Sequence, residues 1–226
     1  MDEDVQATAA RLVRRLKEGN HTITVAESCT GGLLASAFTD IAGASQWFRQ
    51  SWVTYSNEAK MKELGVTEGA LKKRGAVSAE VAIQMAQGAR TKANASIALS
   101  ITGIAGPNSD GSKKKIGTVY VGIASENWAN SDITEIGGNR AENKIGFVHF
   151  ALLTAIKYWD KAMADAEVAR KEEESRVAAE KSAKELFEEE RARREAEARE
   201  SAPWQEDENS PRSKESISSE VNWDKE

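Results

Sequence analysis

The last glycine of this 226-residue chain is Gly146, and nearly all of its Val, Ile, Leu and Phe precede Trp159. From Asp160 to Glu200 the chain carries 24 charged residues in 41, with neither Gly nor Pro. A stretch so poor in apolar side chains cannot bury enough surface to offset the entropy of ordering a core. The first 159 residues can, since a domain of that size buries about 70% of its unfolded surface. Charge divides at the same place: residues 1–159 are net +3 and residues 160–226 net −8. The expected organisation is a globular domain over 1–159, a charged solvated helix over 160–200, and a disordered tail over 201–226. Within that tail Trp204 and Trp223 are candidate anchors for an unknown partner.

Inside the globular part the hydrophobic period switches repeatedly. Val5, Ala9, Leu12, Val13 and Leu16 mark a first amphipathic helix over 4–18, stopped by Gly19 and Asn20. The run His21–Ala26 is rich in β-branched residues and reads as a buried strand. Further strands are expected at 50–56, 96–102, 117–125 and, at an edge, 132–137. Helices are expected at 57–64, 68–74, from Ser78 onward, and at 139–159. Strands alternating with helices indicate an α/β domain with helices on the faces of its sheet. Beyond it, six Glu-to-basic pairs at i, i+4 support a helix of roughly 60 Å: Glu167/Lys171, Glu172/Arg176, Glu180/Lys184, Glu189/Arg193, Glu190/Arg194 and Glu195/Arg199.

Composition removes several function classes. One cysteine, Cys29, and two distant histidines, His21 and His149, leave no Cys/His zinc site and no internal disulfide. No run of eighteen apolar residues is present, so no membrane span is expected, and the acidic N-terminus lacks a signal peptide's apolar region. A cytoplasmic protein follows as the expectation. Nucleic acid is a poor partner for a chain of pI near 5.4 whose lysine run, Lys113–Lys115, is so short.

Three small-residue clusters sit just beyond expected strands, where α/β sheets bind ligands. In Glu27-Ser28-Cys29-Thr30-Gly31-Gly32 a strand hands over to a helix, and backbone amides there can hold an anion or a developing oxyanion. A plain helix cap by Ser28 or Thr30 accounts for the same turn. Tyr55-Ser56-Asn57-Glu58-Ala59-Lys60 places a lysine five residues after a tyrosine. A desolvated lysine can act as general base toward a serine, although a solvated surface lysine fits the spacing equally. Thr102-Gly103-Ile104-Ala105-Gly106-Pro107 leaves the third strand, and Gly75-Ala76-Val77-Ser78 is a further turn.

Taken in order, AESCTGG at 26–32, TYSNEAK at 54–60, GAVS at 75–78, TGIAGP at 102–107, GTVYVGIA at 117–124 and GNR at 138–140 resemble the CinA carboxy-terminal domain family over about residues 4–159. Stand-alone members of that family include nicotinamide mononucleotide amidases. The resemblance implies a single three-layer α/β/α domain with a mixed sheet. It implies hydrolysis of the nucleotide's carboxamide to nicotinic acid mononucleotide and ammonia, within pyridine nucleotide salvage, by a homo-oligomer that needs no metal or other cofactor. It puts the nucleophile on Ser28, the base on Lys60 and an assisting tyrosine on Tyr55. Substrate-binding positions would be Glu27, Cys29, Thr30, Gly31, Gly32, Asn57, Thr102, Gly103, Ile104, Ala105, Gly106 and, for the phosphate, Arg140. Cys29 beside the nucleophile could instead be purely structural. Two stretches depart from the family: Asn108–Ile116 lacks a Lys-Pro ending, and Arg140 is followed by Glu142, Asn143, Lys144 and Gly146 rather than by further arginines. A non-catalytic nucleotide-binding or regulatory module is the alternative.

Overall fold

The computed structural model describes residues 2–200 apart from Asp110 and Ser112; the expectation of disorder over 201–226 lies outside the described residues. In chain order the elements are α1 (Glu3–Glu18), β1 (Ile23–Glu27), α2 (Leu33–Thr39), β2 (Phe48–Val53), α3 (Asn57–Leu64), α4 (Glu68–Arg74), α5 (Ala79–Ala93), β3 (Ile97–Gly103), β4 (Thr118–Ala124), β5 (Ala129–Glu135) and α6 (Arg140–Glu200). The strands form one sheet in the order β2-β1-β3-β4-β5. β1 runs parallel to β2 and β3, while β3/β4 and β4/β5 are antiparallel. This is the mixed sheet that the resemblance implied.

Strand alternation sorts the core into two layers. Val25, Leu99, Ile101, Val119, Val121 and Ile123 face one side, with Leu12, Leu16, Phe38, Phe147 and Leu152 of α1, α2 and α6. Ala26, Ala98 and Ala124 face the other, with Leu71, Val81, Met85 and Ala86 of α4 and α5. The small residues on this second face let α5 lie close to the sheet. Ser100 Oγ donates to the Ala82 carbonyl at 2.6 Å, and at Gly122 any Cβ would run into that same carbonyl. Helices thus cover both faces, giving the three-layer α/β/α arrangement.

Caps set the ends of several helices. Asp2, Ser56, Thr67 and Ser78 each accept a backbone N–H from the first turn they precede. Asn139 and Glu142 close a reciprocal box at the head of α6: Asn139 Oδ1 accepts from Ala141 and Glu142, and Glu142 Oε2 accepts from Asn139 N at 2.8 Å.

Three boundaries differ from the sequence-based expectation. β2 spans Phe48–Val53 rather than 50–56: the Thr54 N–H to Glu27 carbonyl bond is its last ladder bond, and Ser56 is already the cap of α3. β5 begins at Ala129, not Asp132, since Ser125 N bonds the Trp128 carbonyl and closes a tight turn that starts the pairing early. The helices expected over 139–159 and 160–200 are one element, α6, with nothing between them to break it. The first compact unit runs to Asp165 and the second begins at Ala166. Of the six expected pairs along α6, Glu167–Lys171 (3.3 Å) and Glu190–Arg194 (2.8 Å) form. Elsewhere Arg176 turns to Glu173, Arg193 to Glu197 and Glu195 to Arg191. Exposed ion pairs differ by only tenths of a kcal/mol, so register among them is weakly set.

Candidate active site

β1 ends in Glu27, whose side chain is fully buried. Its carboxylate accepts three backbone N–H groups, from Gly32 (3.0 Å), Leu34 (3.1 Å) and Ala35 (2.8 Å). A buried acid held by backbone amides fixes the entry to α2. Gly32 makes the turn possible by adopting φ +98°, after Gly31 at +65°. Ser28 sits at the head of this turn with its N–H bonded to Ile101 of β3 and its carbonyl accepting from Gly31. The nucleophile candidate is thus tied to two strands of the sheet. Glu27, expected among the substrate-binding positions, belongs to the support beneath the turn, since both its oxygens are taken by amides.

Lys60 approaches from α3. The bend after β2 turns the chain through Thr54 and Tyr55 into the Ser56 cap, so the fourth residue of α3 folds back under that bend. Lys60 is only 1% exposed. Its Nζ lies 3.0 Å from Ser28 Oγ, 2.8 Å from the Thr54 carbonyl and 3.1 Å from the Tyr55 carbonyl. Among the described residues no carboxylate pairs with it. Two N–H bonds are fixed on carbonyls, so the remaining tetrahedral direction of the nitrogen faces the serine hydroxyl. That direction carries a proton when the lysine is charged and a lone pair when it is neutral. Burial pushes the amine down to about 8, partly opposed by the neighbouring Cys29 sulfur.

Cys29 points into the core. Burial pushes its thiol up to about 11, against the opposing pull of the backbone N–H groups of Cys29 and Gly103 and of Lys60 and Arg140. A thiol so held stays protonated near neutrality and does not compete with Ser28 as a nucleophile. Its side chain belongs to the core beneath the turn. Its backbone differs: no carbonyl or carboxylate among the described residues takes the amides of Cys29 and Thr30. Those two N–H groups directly follow Ser28; that of Cys29 lies against its own sulfur, and that of Thr30 takes no such partner.

The third cluster closes the same rim. Arg140, first residue of α6, donates to the Gly106 carbonyl at 2.6 Å and to the Tyr55 hydroxyl at 3.0 Å. Tyr55 is therefore divided: its carbonyl holds Lys60, while its exposed phenol meets Arg140 rather than the Ser28–Lys60 pair. Thr102 departs from the expected substrate-facing role, because its hydroxyl donates to the Ala76 carbonyl at 2.8 Å and binds this loop to the Gly75–Ser78 turn. Gly103 meets Cys29 through its N–H, and Ile104 and Ala105 are buried. Thr30 is buried with an unpartnered hydroxyl, Gly31 is exposed, and Asn57 opens α3 on its exposed side.

Two residues at this rim were not singled out as site residues. Asn143, fully buried, donates through Nδ2 to the carbonyls of Ala105 (3.1 Å) and Gly138 (2.9 Å), locking the head of α6 to the loop after β3. Lys144 is half-buried, with Nζ 3.8 Å from where a Cβ on Gly31 would stand. Neither was legible, because the Asn143–Ala105 and Lys144–Gly31 approaches each span over thirty residues and depend on how α6 docks. The structure thus brings together Ser28, Lys60, Tyr55, Gly106 and Arg140, and places Glu27, Cys29 and Thr102 in the scaffold behind them.

The model of the CinA C-terminal domain matches residues 5–159. A nicotinamide-nucleotide amidohydrolase PncC of Enterobacter agglomerans is 43% identical over 147 residues, covering 65% of this chain and 90% of that protein. A CinA-like protein of Chlorobium limicola is 42% identical over 173 residues, covering 74% of this chain and 40% of that one. The chain spans between 31% and 40% of the length of the first such curated relatives. Among solved structures, competence/damage inducible protein CihA of Agrobacterium tumefaciens superposes with a TM-score of 0.67 at 36% identity, covering 70% of this chain and 96% of that one. With the family model spanning most of its length, the chain belongs to the CinA C-terminal domain family.

Proposed function

We propose that this protein hydrolyses the carboxamide of nicotinamide mononucleotide, releasing nicotinic acid mononucleotide and ammonia. The observation that carries the reading is the buried 3.0 Å contact between Lys60 Nζ and Ser28 Oγ, with the amine oriented by two carbonyls. The likeness to an amidohydrolase of that substrate over 90% of its length supports the choice of amide.

In this reading neutral Lys60 takes the Ser28 hydroxyl proton as Oγ bonds to the amide carbon. The oxyanion of the tetrahedral intermediate is met by the amides that directly follow the nucleophile, those of Cys29 and Thr30. Lys60, now an ammonium, returns the proton to the departing nitrogen. The C–N bond breaks, ammonia leaves, and an acyl ester remains on Ser28. Water entering the same position gives its proton to Lys60 and attacks the ester carbon, and collapse of the second intermediate returns the proton to Ser28 Oγ as the acid departs. Each proton passes through one nitrogen, which is why an amine brought near neutrality suits the task.

Ammonia release from nicotinamide mononucleotide by the wild type, Ser28→Ala and Lys60→Ala tests the assignment. Turnover by the wild type with a loss of at least 10³-fold in both variants is expected. A wild type that binds the nucleotide without releasing ammonia would identify a non-catalytic binding module instead.

A further inference from the structure

We propose that two basic runs, brought together by the fold beside the rim of the site, form a docking surface for the acidic, tryptophan-bearing segment Trp204–Glu208 of a second copy of the chain. The runs are Lys72-Lys73-Arg74, which ends α4, and Lys113-Lys114-Lys115, which leads into β4. Lys114 joins them across 40 residues of sequence, its Nζ donating to the Arg74 carbonyl at 3.4 Å over Gly75. The bond from Thr102 to the Ala76 carbonyl ties the same corner to the loop after β3. Either run alone is too short to attract a polyanion, and the fold doubles it.

Charge and surface character together select the partner. Among the described residues the six cations meet three carboxylates: Glu68 on Lys72 at 2.7 Å, Glu80 on Arg74 at 3.8 Å and Glu135 on Lys115 at 3.2 Å. Lys73 and Lys113, both exposed, have no carboxylate partner among the described residues. The excess is positive, yet the interspersed acids break it up, which suits a short run of carboxylates better than a continuous phosphate ladder. Two apolar side chains adjoin the cations. Ile116, over Gly106, is 42% exposed, and Ile133, on the same face of β5 as Glu135, is 53% exposed. Cations beside exposed aliphatic groups fit an acidic segment that carries a bulky apolar anchor.

The chain itself carries such a segment. Trp204 is followed by Glu206, Asp207 and Glu208, and no basic residue stands between Arg199 and Arg212. An indole can cover the isoleucines and take a neighbouring cation on its face, while the three acids meet Lys73, Lys113 and the cations around them. Chain length favours a second copy as the source. From Asp165 to Glu200 α6 rises about 50 Å, and Trp204 follows its end by four residues, a reach of about 14 Å. The anchor therefore stays with the far end of its own helix, at hand for another molecule. Segment and surface are different parts of the chain, so the contact is heterologous and association grows with concentration.

Sedimentation velocity of the full-length chain over a concentration series measures this. In about 50 mM salt the weight-average sedimentation coefficient should rise with concentration, and in about 500 mM salt the rise should vanish. Lys73→Glu with Lys113→Glu, or Trp204→Ala alone, should weaken the association at least about tenfold. Combining the two lysine changes with Glu206→Lys and Asp207→Lys should restore it, and circular dichroism checks that each variant is folded. Sedimentation of the wild type that does not change with concentration would overturn the surface. So would an association indifferent to either set of changes, or one that the charge swap fails to rescue. Binding of a fluorescein-labelled DNA duplex that is lost with Lys73→Glu and Lys113→Glu, while a labelled peptide of residues 201–212 stays unbound, would overturn it in favour of a phosphate partner.

Discussion

Lys60 shows how a residue type acquires a role from its surroundings. On most helices a lysine projects into water, but here its nitrogen is enclosed by the Thr54 and Tyr55 carbonyls and Ser28 Oγ. Its acidity should be visible in stability. The unfolded amine holds its proton to about 10.5, whereas the folded one releases it at about 8. Above pH 8 the unfolded state binds more protons, so stability rises with pH, by on the order of 1 kcal/mol between pH 8 and 9. Beyond pH 9 buried Cys29, protonated up to about 11, contributes the opposite slope because its unfolded thiol ionises first. Urea unfolding from pH 7 to 10 should show that rise in the wild type and lose it in Lys60→Met. Glu27 offers a second test. Glu27→Gln keeps the shape but turns an NH₂ toward amides that need an acceptor, and denaturation should show a loss of about 1–3 kcal/mol. Neither role was legible from spacing. By spacing alone Lys60 is indistinguishable from a surface lysine, and Glu27 reads as ligand-facing because its three amide partners lie five to eight residues ahead.

Elements carry the site to one place. The turn after β1, the bend between β2 and α3, and the loop after β3 all lie beyond the same ends of three neighbouring parallel strands, and the head of α6 meets them there. The alternation of strands and helices made this fold legible, since β-branched runs and caps such as Ser78 mark most elements within a few residues. Boundaries set by tertiary contacts were less so. β2 stops pairing at Val53, opposite the end of β1 at Glu27, which no local pattern encodes. The docking of α6 was likewise hidden, so Asn143 and Lys144 were noticed only as departures from the family. Asn143→Leu would leave the Ala105 and Gly138 carbonyls without a donor in a buried setting. A loss of about 1–3 kcal/mol in urea denaturation is expected, with a higher KM for the mononucleotide because Arg140 is displaced.

At the scale of the whole molecule, the residues of the site all belong to the unit that ends at Asp165. From Ala166 to Glu200 α6 is exposed throughout, and its ion pairs are of the solvated kind. No helix among the described residues is long and apolar enough to cross a membrane. Truncation after Asp165 should leave kcat/KM for ammonia release within about twofold of the intact chain, and a larger loss would show that the extension serves the site. In the proposed chemistry everything turns on one amine removing one proton. The pH dependence of kcat/KM for ammonia release from nicotinamide mononucleotide tests it most directly. Because the neutral form of Lys60 is the active one, the rate should climb about tenfold per pH unit below 7 and level off above about 8. A profile flat from pH 6 to 9, or one that falls through that range, would contradict it.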